Sequence, residues 1–314
     1  MQNILFNFLS KNPKFNQILA NISKKNVNLI NGLNLTAKQI LIQKLFLDTK
    51  RPIVGCFSST PRMLNVYESI NSINPDIKVE FLKTEEQSPY EMLYSDVSAW
   101  GENINILQNF ENKKIDILLI NYKNLAQILP EKSFFNENQI KILKKQEIDP
   151  TQLSKNLLSL GYKKTSMVTD KGEFSQRGDI IDIYPSNDEP LRMEFWGDEI
   201  ESLRYFSPDS QRTTRYIQEA TILPAHKIIL TPKNCQELQK NLDNLFQKSQ
   251  KTLDTEAFEV LEKNYQDISL NLDNESYFEG CEYFVPYIQK DFGHISQYFP
   301  QDSIIILGNF LELG

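Results

Sequence analysis

Apolar residues in the first third of the chain fall into short runs separated by helical stripes. Val27 to Ile30 is a compact run that ends at Asn31-Gly32. It leads into Thr36 to Leu47, where Ile40, Leu41, Leu45 and Leu47 recur at helical spacing. Thr36 is read as the N-cap, since its hydroxyl can satisfy a first-turn amide. The pattern then predicts a strand over Pro52 to Phe57 and a helix over Pro61 to Ile73, with Pro61 at the first helical position. A strand over Lys78 to Leu82 and a helix over Asp96 to Phe110 follow. Ile115 to Asn121 has five apolar residues in seven, which suits a strand buried on both faces. The opening MQNILFNFLSKNPKF is read as helical. Strands alternating with helices of this length imply a parallel sheet with crossover helices.

After Pro130 the pattern changes. Residues 151–161 read as a helix that stops at Gly161, where a left-handed backbone carries no Cβ penalty. From Tyr162 to Phe206 the period becomes two. Thr165–Thr169, Glu173–Arg177, Ile180–Tyr184, Leu191–Trp196 and Ile200–Phe206 are expected as short strands. Asp170-Lys171-Gly172, Arg177-Gly178-Asp179, Ser186-Asn187-Asp188 and Gly197-Asp198 supply the turns between them. This predicts an antiparallel sheet packed by one helix. After Pro224 the expectation returns to a strand over His226 to Leu230, helix over much of 234–263, an aromatic-rich helix over Tyr277 to Gln289, and a final buried strand over Ser303 to Leu307. The abrupt end at Gly314 suggests a piece of a longer polypeptide.

Length and composition narrow the chemistry. The 314 residues suggest two domains or three. With 34 basic against 41 acidic side chains and a net charge of −7, a dedicated nucleic-acid-coating surface is disfavoured. The basic pairs Lys24-Lys25, Lys113-Lys114, Lys144-Lys145 and Lys163-Lys164 are scattered, as solvated faces are. No apolar run approaches the roughly 20 residues that cross a bilayer, and the expected location is the cytoplasm. Cys56, Cys235 and Cys281 are far apart and read as buried thiols. His226 and His294 sit in no metal-binding or hydrolase motif, so no metal and no catalytic residue are assigned.

Gly32-Leu33-Asn34-Leu35-Thr36-Ala37-Lys38-Gln39 lies where a P-loop would lie. A working loop needs G-x-x-x-x-G-K-[ST]: glycines for the amide cradle, Lys for the terminal phosphates, a hydroxyl for magnesium. Gly32 and Lys38 keep register, but Ala37 replaces the second glycine and Gln39 the magnesium ligand. Either the two residues match by chance, or this is a vestigial phosphate loop; neither reading gives ATP hydrolysis.

Gly161 to Thr213 contains G-E-F-x-x-R-G-x-I-x-D-I-x-P, then R-x-E-F-x-x-D-E-I-E-S-L-R-x-F, then S-Q-R-T. Arg177, Gly178, Asp182, Pro185, Arg192, Asp198, Glu199, Ile200 and Gln211 occupy its characteristic places. This segment closely resembles the second domain shared by the excision-repair protein UvrB and the transcription-repair-coupling factors. Looser similarity extends to Ser88-Pro89-Tyr90, to Leu223-Pro224-Ala225-His226 and to Phe278-Glu279-Gly280-Cys281-Glu282-Tyr283. The broken loop, and the lack of an aromatic-tipped hairpin between Ile40 and Ser95, favour the amino-terminal UvrB-like module of the coupling factors. The expected fold class is therefore α/β: a degenerate P-loop (RecA-like) parallel-sheet domain interrupted by a small α+β antiparallel-sheet domain. The boundaries expected are 1–135 and 225–314 for the first, with 136–224 as the UvrA-interaction domain.

One strand carries the candidate site. In Leu191–Trp196, alternation puts Leu191, Met193 and Phe195 on one face and Arg192, Glu194 and Trp196 on the other. A tryptophan on a polar face either packs under a neighbouring loop, with Arg192 and Glu194 as a solvated pair, or serves as an interface anchor. Glu173, Ser175 and Arg177 form a comparable face. The resemblance implies that Arg177, Arg192 and Trp196 bind UvrA, with Trp196 standing where the family often has phenylalanine. It also implies a carboxy-terminal domain of the full-length protein that masks this face, and contacts to RNA polymerase and DNA through further domains. It implies further that ATP and magnesium belong to a motor beyond residue 314 rather than to this stretch. The alternatives are an active UvrB-type P-loop ATPase subunit and a direct DNA-binding module.

Overall fold

The structure, a computed structural model, describes residues 2–84, 96–250, 252, 254–275, 277–278, 280–288 and 293–308. Ser88-Pro89-Tyr90, Glu279 and Gln289 lie outside the described residues. The fold is mixed α/β and divides into two compact units. Met1–Thr84, Asn105–Ile128 and His294–Gly314 form one; Glu85–Ile104 and Leu129–Gly293 form the other.

In the first unit the strands Ile304–Leu307, Ile53–Phe57, Ile117–Asn121 and Val79–Phe81 lie in that order in a four-stranded parallel sheet. The two central strands are buried throughout, as their unbroken apolar runs require. Ile42, Leu45 and Phe46 of the helix Leu35–Thr49 and Met63, Val66 and Ile70 of the helix Thr60–Ile73 pack against Ile53, Phe57, Ile117 and Leu119. The amino-terminal expectation of helix is met by Gln2–Ser10 and Pro13–Ser23.

Three expectations for this unit are corrected. Val27–Ile30 forms no strand; Val27 is 97% and Leu29 82% exposed. A four-residue run has no neighbouring strand to pair with here, and Asn28 instead accepts a side-chain bond from Asn21 at 2.8 Å. The N-cap of the following helix is Asn34 rather than Thr36, because the Asn34 side-chain Oδ1 accepts from the Ala37 amide at 2.8 Å. The last strand, Ile304–Leu307, is an edge strand, so Ile305 and Leu307 are exposed rather than buried.

The second unit is built on a six-stranded sheet. Its order is Thr213–Tyr216, Glu199–Phe206, Leu191–Trp196, Ile180–Ile183, Glu173–Arg177 and Lys163–Lys164, antiparallel except for the last pair. The helix Pro150–Ser159 covers the apolar face, placing Leu153 and Leu157 against Phe174, Ile181, Leu191, Met193 and Leu203. Asp149 caps its start by accepting from the Thr151 amide at 2.7 Å, and Gly161 ends it with φ +84°. A Cβ at Gly161 would lie 2.7 Å from the His226 ring, so close approach and backbone geometry both demand glycine.

Corrections here have local causes. Residues 165–169 form no strand; pairing falls on Lys163–Lys164, and the Glu173 carboxylate accepts the Thr169 and Asp170 amides at 2.9 and 3.1 Å to make a turn. His226–Leu230 is not a strand either. Its Ile229 enters the sheet's core while Ile228 and Leu230 enter a second cluster, so side chains rather than strands bury it. That second cluster belongs to the helices Pro232–Ser249 and Thr255–Asp273, which make most of 234–263 helical as expected. The aromatic-rich region forms two short helical turns, Cys281–Phe284 and Val285–Ile288. Ile140–Leu143 and Glu219–Ile222 pair as a separate two-stranded sheet. Contacts keep residues 225–293 with this unit, and His294–Gly314 with the first. Cys56, Cys235 and Cys281 are buried free thiols.

Candidate protein-interaction site

Leu191, Met193 and Phe195 are buried, as alternation requires, and Arg192, Glu194 and Trp196 lie on the opposite face. Register extends that face across the sheet. Arg192 stands opposite Asp182 on one side and Arg204 on the other, and Asp182 stands opposite Ser175. Arg177, Arg192 and Trp196 thus share one face of one sheet.

Their environments differ sharply. The Trp196 side chain is 80% exposed at the end of its strand. Arg177 is 51% exposed and donates from Nη2 to Asp182 Oδ2 at 2.8 Å. Arg192 is only 13% exposed. It grips Asp182 with a fork, Nε to Oδ1 at 2.6 Å and Nη2 to Oδ2 at 2.8 Å. It also donates to the Gln211 carbonyl at 3.3 Å and to Gln211 Oε1 at 3.0 Å, and it stacks over the Phe206 ring at 4.5 Å. Gln211 adopts φ +58°, held by bonds to the Ser207 and Pro208 carbonyls at 2.7 Å each.

Glu194 pairs with Arg204, not with Arg192. Ser202 donates to Glu194 at 2.8 Å, and the Arg204 hydrogen bond, against some desolvation, holds the Glu194 carboxyl down at about 2. Beside Trp196 lies an open cleft of about 470 Å³ lined by Glu147, Ile148, Asp149, Asp198 and Glu199. Lys145 meets Glu199 there at 2.5 Å, and that hydrogen bond raises the lysine's pKa.

Sequence reasoning missed the partners that organise the arginines. Asp182 was legible as part of a motif but received no role. Its signal is a lone carboxylate in Ile180-Ile181-Asp182-Ile183, a run otherwise suited to a core.

Gly32 and Lys38, the candidate phosphate-loop residues, lie just before and within the first turn of the helix Leu35–Thr49. Gly32 has φ +80° with open space where a Cβ would stand, and no strand precedes it. Asn34 occupies the Ala37 amide, a donor that a nucleotide-binding helix start would aim at phosphate. Gln39, in the magnesium-ligand position, is buried and donates to Asn65 Oδ1 at 2.6 Å. Among the described residues no group of His, Cys, Asp or Glu is arranged to hold a metal, and no helix is long and apolar enough to cross a membrane.

The second unit is thus an antiparallel-sheet domain that presents a polar face of paired charges ending in an exposed tryptophan. Residues 140–227 match the UvrB interaction domain family. Over 303 residues the chain is 24% identical to the transcription-repair-coupling factor of Bacillus subtilis (strain 168), covering 96% of this chain and 26% of that protein. It is 24% identical to the factor of Staphylococcus haemolyticus, covering 99% of this chain and 26% of the relative. Against that of Staphylococcus aureus strain Mu50, identity is 26%, with 90% and 24% covered. Residues 140–227 thus carry the match to the UvrB interaction domain, the chain is similar along most of its length to transcription-repair-coupling factors, and it spans about a quarter of the length of the curated relatives it matches.

Proposed function

We propose that this chain is a non-catalytic recruitment module that binds UvrA and brings it to lesions where RNA polymerase has stalled. The observation that carries the reading is Trp196. It is a large apolar side chain left 80% exposed in a strand whose other apolar side chains, Leu191, Met193 and Phe195, are buried. Tryptophan and arginine are the residue types most concentrated at interface hot spots. The UvrB interaction domain match over 140–227 and the similarity to transcription-repair-coupling factors support the choice of partner. Arg177 and Trp196 offer the exposed contacts, and Arg192 supports them from within the face. In this reading a carboxy-terminal domain of the full-length protein covers this face until polymerase is engaged, and further domains contact polymerase and DNA. Residues 136–224 are then the UvrA-interaction part, and a degenerate P-loop domain of RecA type corresponds to the first compact unit, with 225–293 kept in the second. The module acts in the cytoplasm.

The diverted Asn34 and Gln39 side chains support a nucleotide site that has lost its function, so the chain carries no ATP and no magnesium of its own. A pull-down of purified chain against UvrA tests the reading: retention of UvrA that is lost in Trp196→Ala is expected. Equal retention by parent and variant overturns the assignment of this face. Saturable ATP turnover by the chain favours instead an active ATPase subunit of UvrB type.

A further inference from the structure

Asp182 is fully buried, yet it is charged and meets two arginines on the face that carries Trp196. Burying a carboxylate is costly, and replacing a buried ion pair with apolar side chains of similar volume is often neutral or stabilising. The neighbours Ile181 and Ile183 show that this strand accommodates apolar side chains. Fold stability alone therefore gives weak reason for an aspartate here. Its geometry gives a stronger one. Both carboxylate oxygens are used: Oδ1 by Arg192 Nε at 2.6 Å, and Oδ2 by Arg192 Nη2 and Arg177 Nη2, each at 2.8 Å. Arg192 is held inside the face and extends to the Gln211 turn. Arg177 is tethered at one nitrogen while half of its side chain stays in solvent, so its remaining N–H groups are aimed outward from a fixed anchor.

We infer that Asp182 is a positioning residue for UvrA binding: out of reach of any partner, it preorganises Arg177 for a partner carboxylate and locks Arg192 onto the Gln211 turn. The inference rests on the UvrA reading above. Immobilising a long side chain before association removes an ordering cost that binding otherwise incurs. The interaction is chemically specific, because a planar guanidinium matches a carboxylate by a fork that lysine cannot form.

The test is a double-variant cycle on the whole chain, measuring UvrA affinity by calorimetry for Asp182→Asn, Arg177→Ala and the two combined. Asp182→Asn is expected to weaken binding about 3- to 10-fold. In the Arg177→Ala background the same substitution is expected to add less than about twofold, since the exposed guanidinium it aims at the partner is gone and Arg192 keeps its own bonds to the Gln211 turn. A purely structural role instead makes the two losses multiply, and that outcome overturns the inference. Parental affinity in Asp182→Asn, with losses in Arg177→Ala and Trp196→Ala, overturns this inference and leaves the UvrA reading standing. Parental affinity in Arg177→Ala and Trp196→Ala overturns both. Should Asp182→Asn fail to fold, nitrogen-15 NMR of the parent guanidinium groups decides the matter. Hindered rotation is expected for Arg177 and Arg192 but not for the exposed Arg212, and rotation of Arg177 as free as that of Arg212 overturns the inference.

Discussion

Arg192→Ala separates a buried clamp from a surface contact. Placing Arg192 and Trp196 on a polar face implies that either can be truncated without loss of stability. The Arg192 environment implies otherwise. Its removal deletes two of the three hydrogen bonds received by Asp182, leaves Oδ1 without its donor, frees the Gln211 turn and removes the stack on Phe206. Breaking a buried ion pair typically costs about 3–5 kcal/mol. Arg177 remains bound to Oδ2 and Arg192 is slightly exposed, so about 2–3 kcal/mol is expected here. For a unit of this size that lowers the melting temperature by roughly 5–10 °C. Trp196→Ala, which removes a side chain already in solvent, is expected to change stability by less than about 0.5 kcal/mol. Parallel thermal and urea melts of the two variants check this. An Arg192→Ala protein that melts with the parent would falsify the clamp, and a Trp196→Ala protein that unfolds early shows the tryptophan to be core.

Other consequences are equally direct. Gly101 lies inside the helix Val97–Glu111, where alanine normally gains about 1 kcal/mol, yet a Cβ there would stand 1.9 Å from the Ser186 carbonyl oxygen; Gly101→Ala is expected to destabilise, and a raised melting temperature refutes the close approach. Burial pushes the Glu282 carboxyl up, but the His226 hydrogen bond at 3.3 Å and its charge outweigh that and hold it near 2. A depressed folded-state pKa contributes stability above the unfolded value near 4.5 that disappears as pH falls toward 2, so Glu282→Gln flattens the acid limb of the stability profile, and an unchanged limb contradicts the pairing. No saturable ATP binding is expected at micromolar concentration; binding that Lys38→Ala abolishes shows that the loop still works.

What the chain discloses before folding follows from the range of the interactions concerned. Leu191–Trp196 was readable to the residue, because one face is buried and a one-residue slip would drive Leu191, Met193 and Phe195 into solvent. Gly161 as the residue beyond a helix was readable for a similarly local reason. Val27–Ile30 misled because apolar content alone does not make a strand; a partner must be present, and none is formed there. The same holds in reverse for His226–Leu230, buried by side chains of two clusters without forming a strand itself. At the candidate site, alternation disclosed which face Arg192 occupies but not that Asp182 stands opposite. That pairing depends on strand order and register across the Ile183–Leu191 connection. Alternation thus disclosed the face of Trp196 and of Arg192, but neither the exposure of Trp196 at a strand end before Gly197 nor the burial of Arg192 in mid-sheet.

The central claim, that this face binds UvrA through its exposed aromatic, is tested most directly by titrating purified UvrA with the chain and with Trp196→Ala at equal ionic strength. Truncating a true hot spot costs about 2 kcal/mol or more, roughly thirtyfold in affinity. The account predicts a measurable complex with the parent, weakened by about that factor in a variant that melts normally. Equal affinity of the two proteins, or no complex with the parent at all, contradicts it.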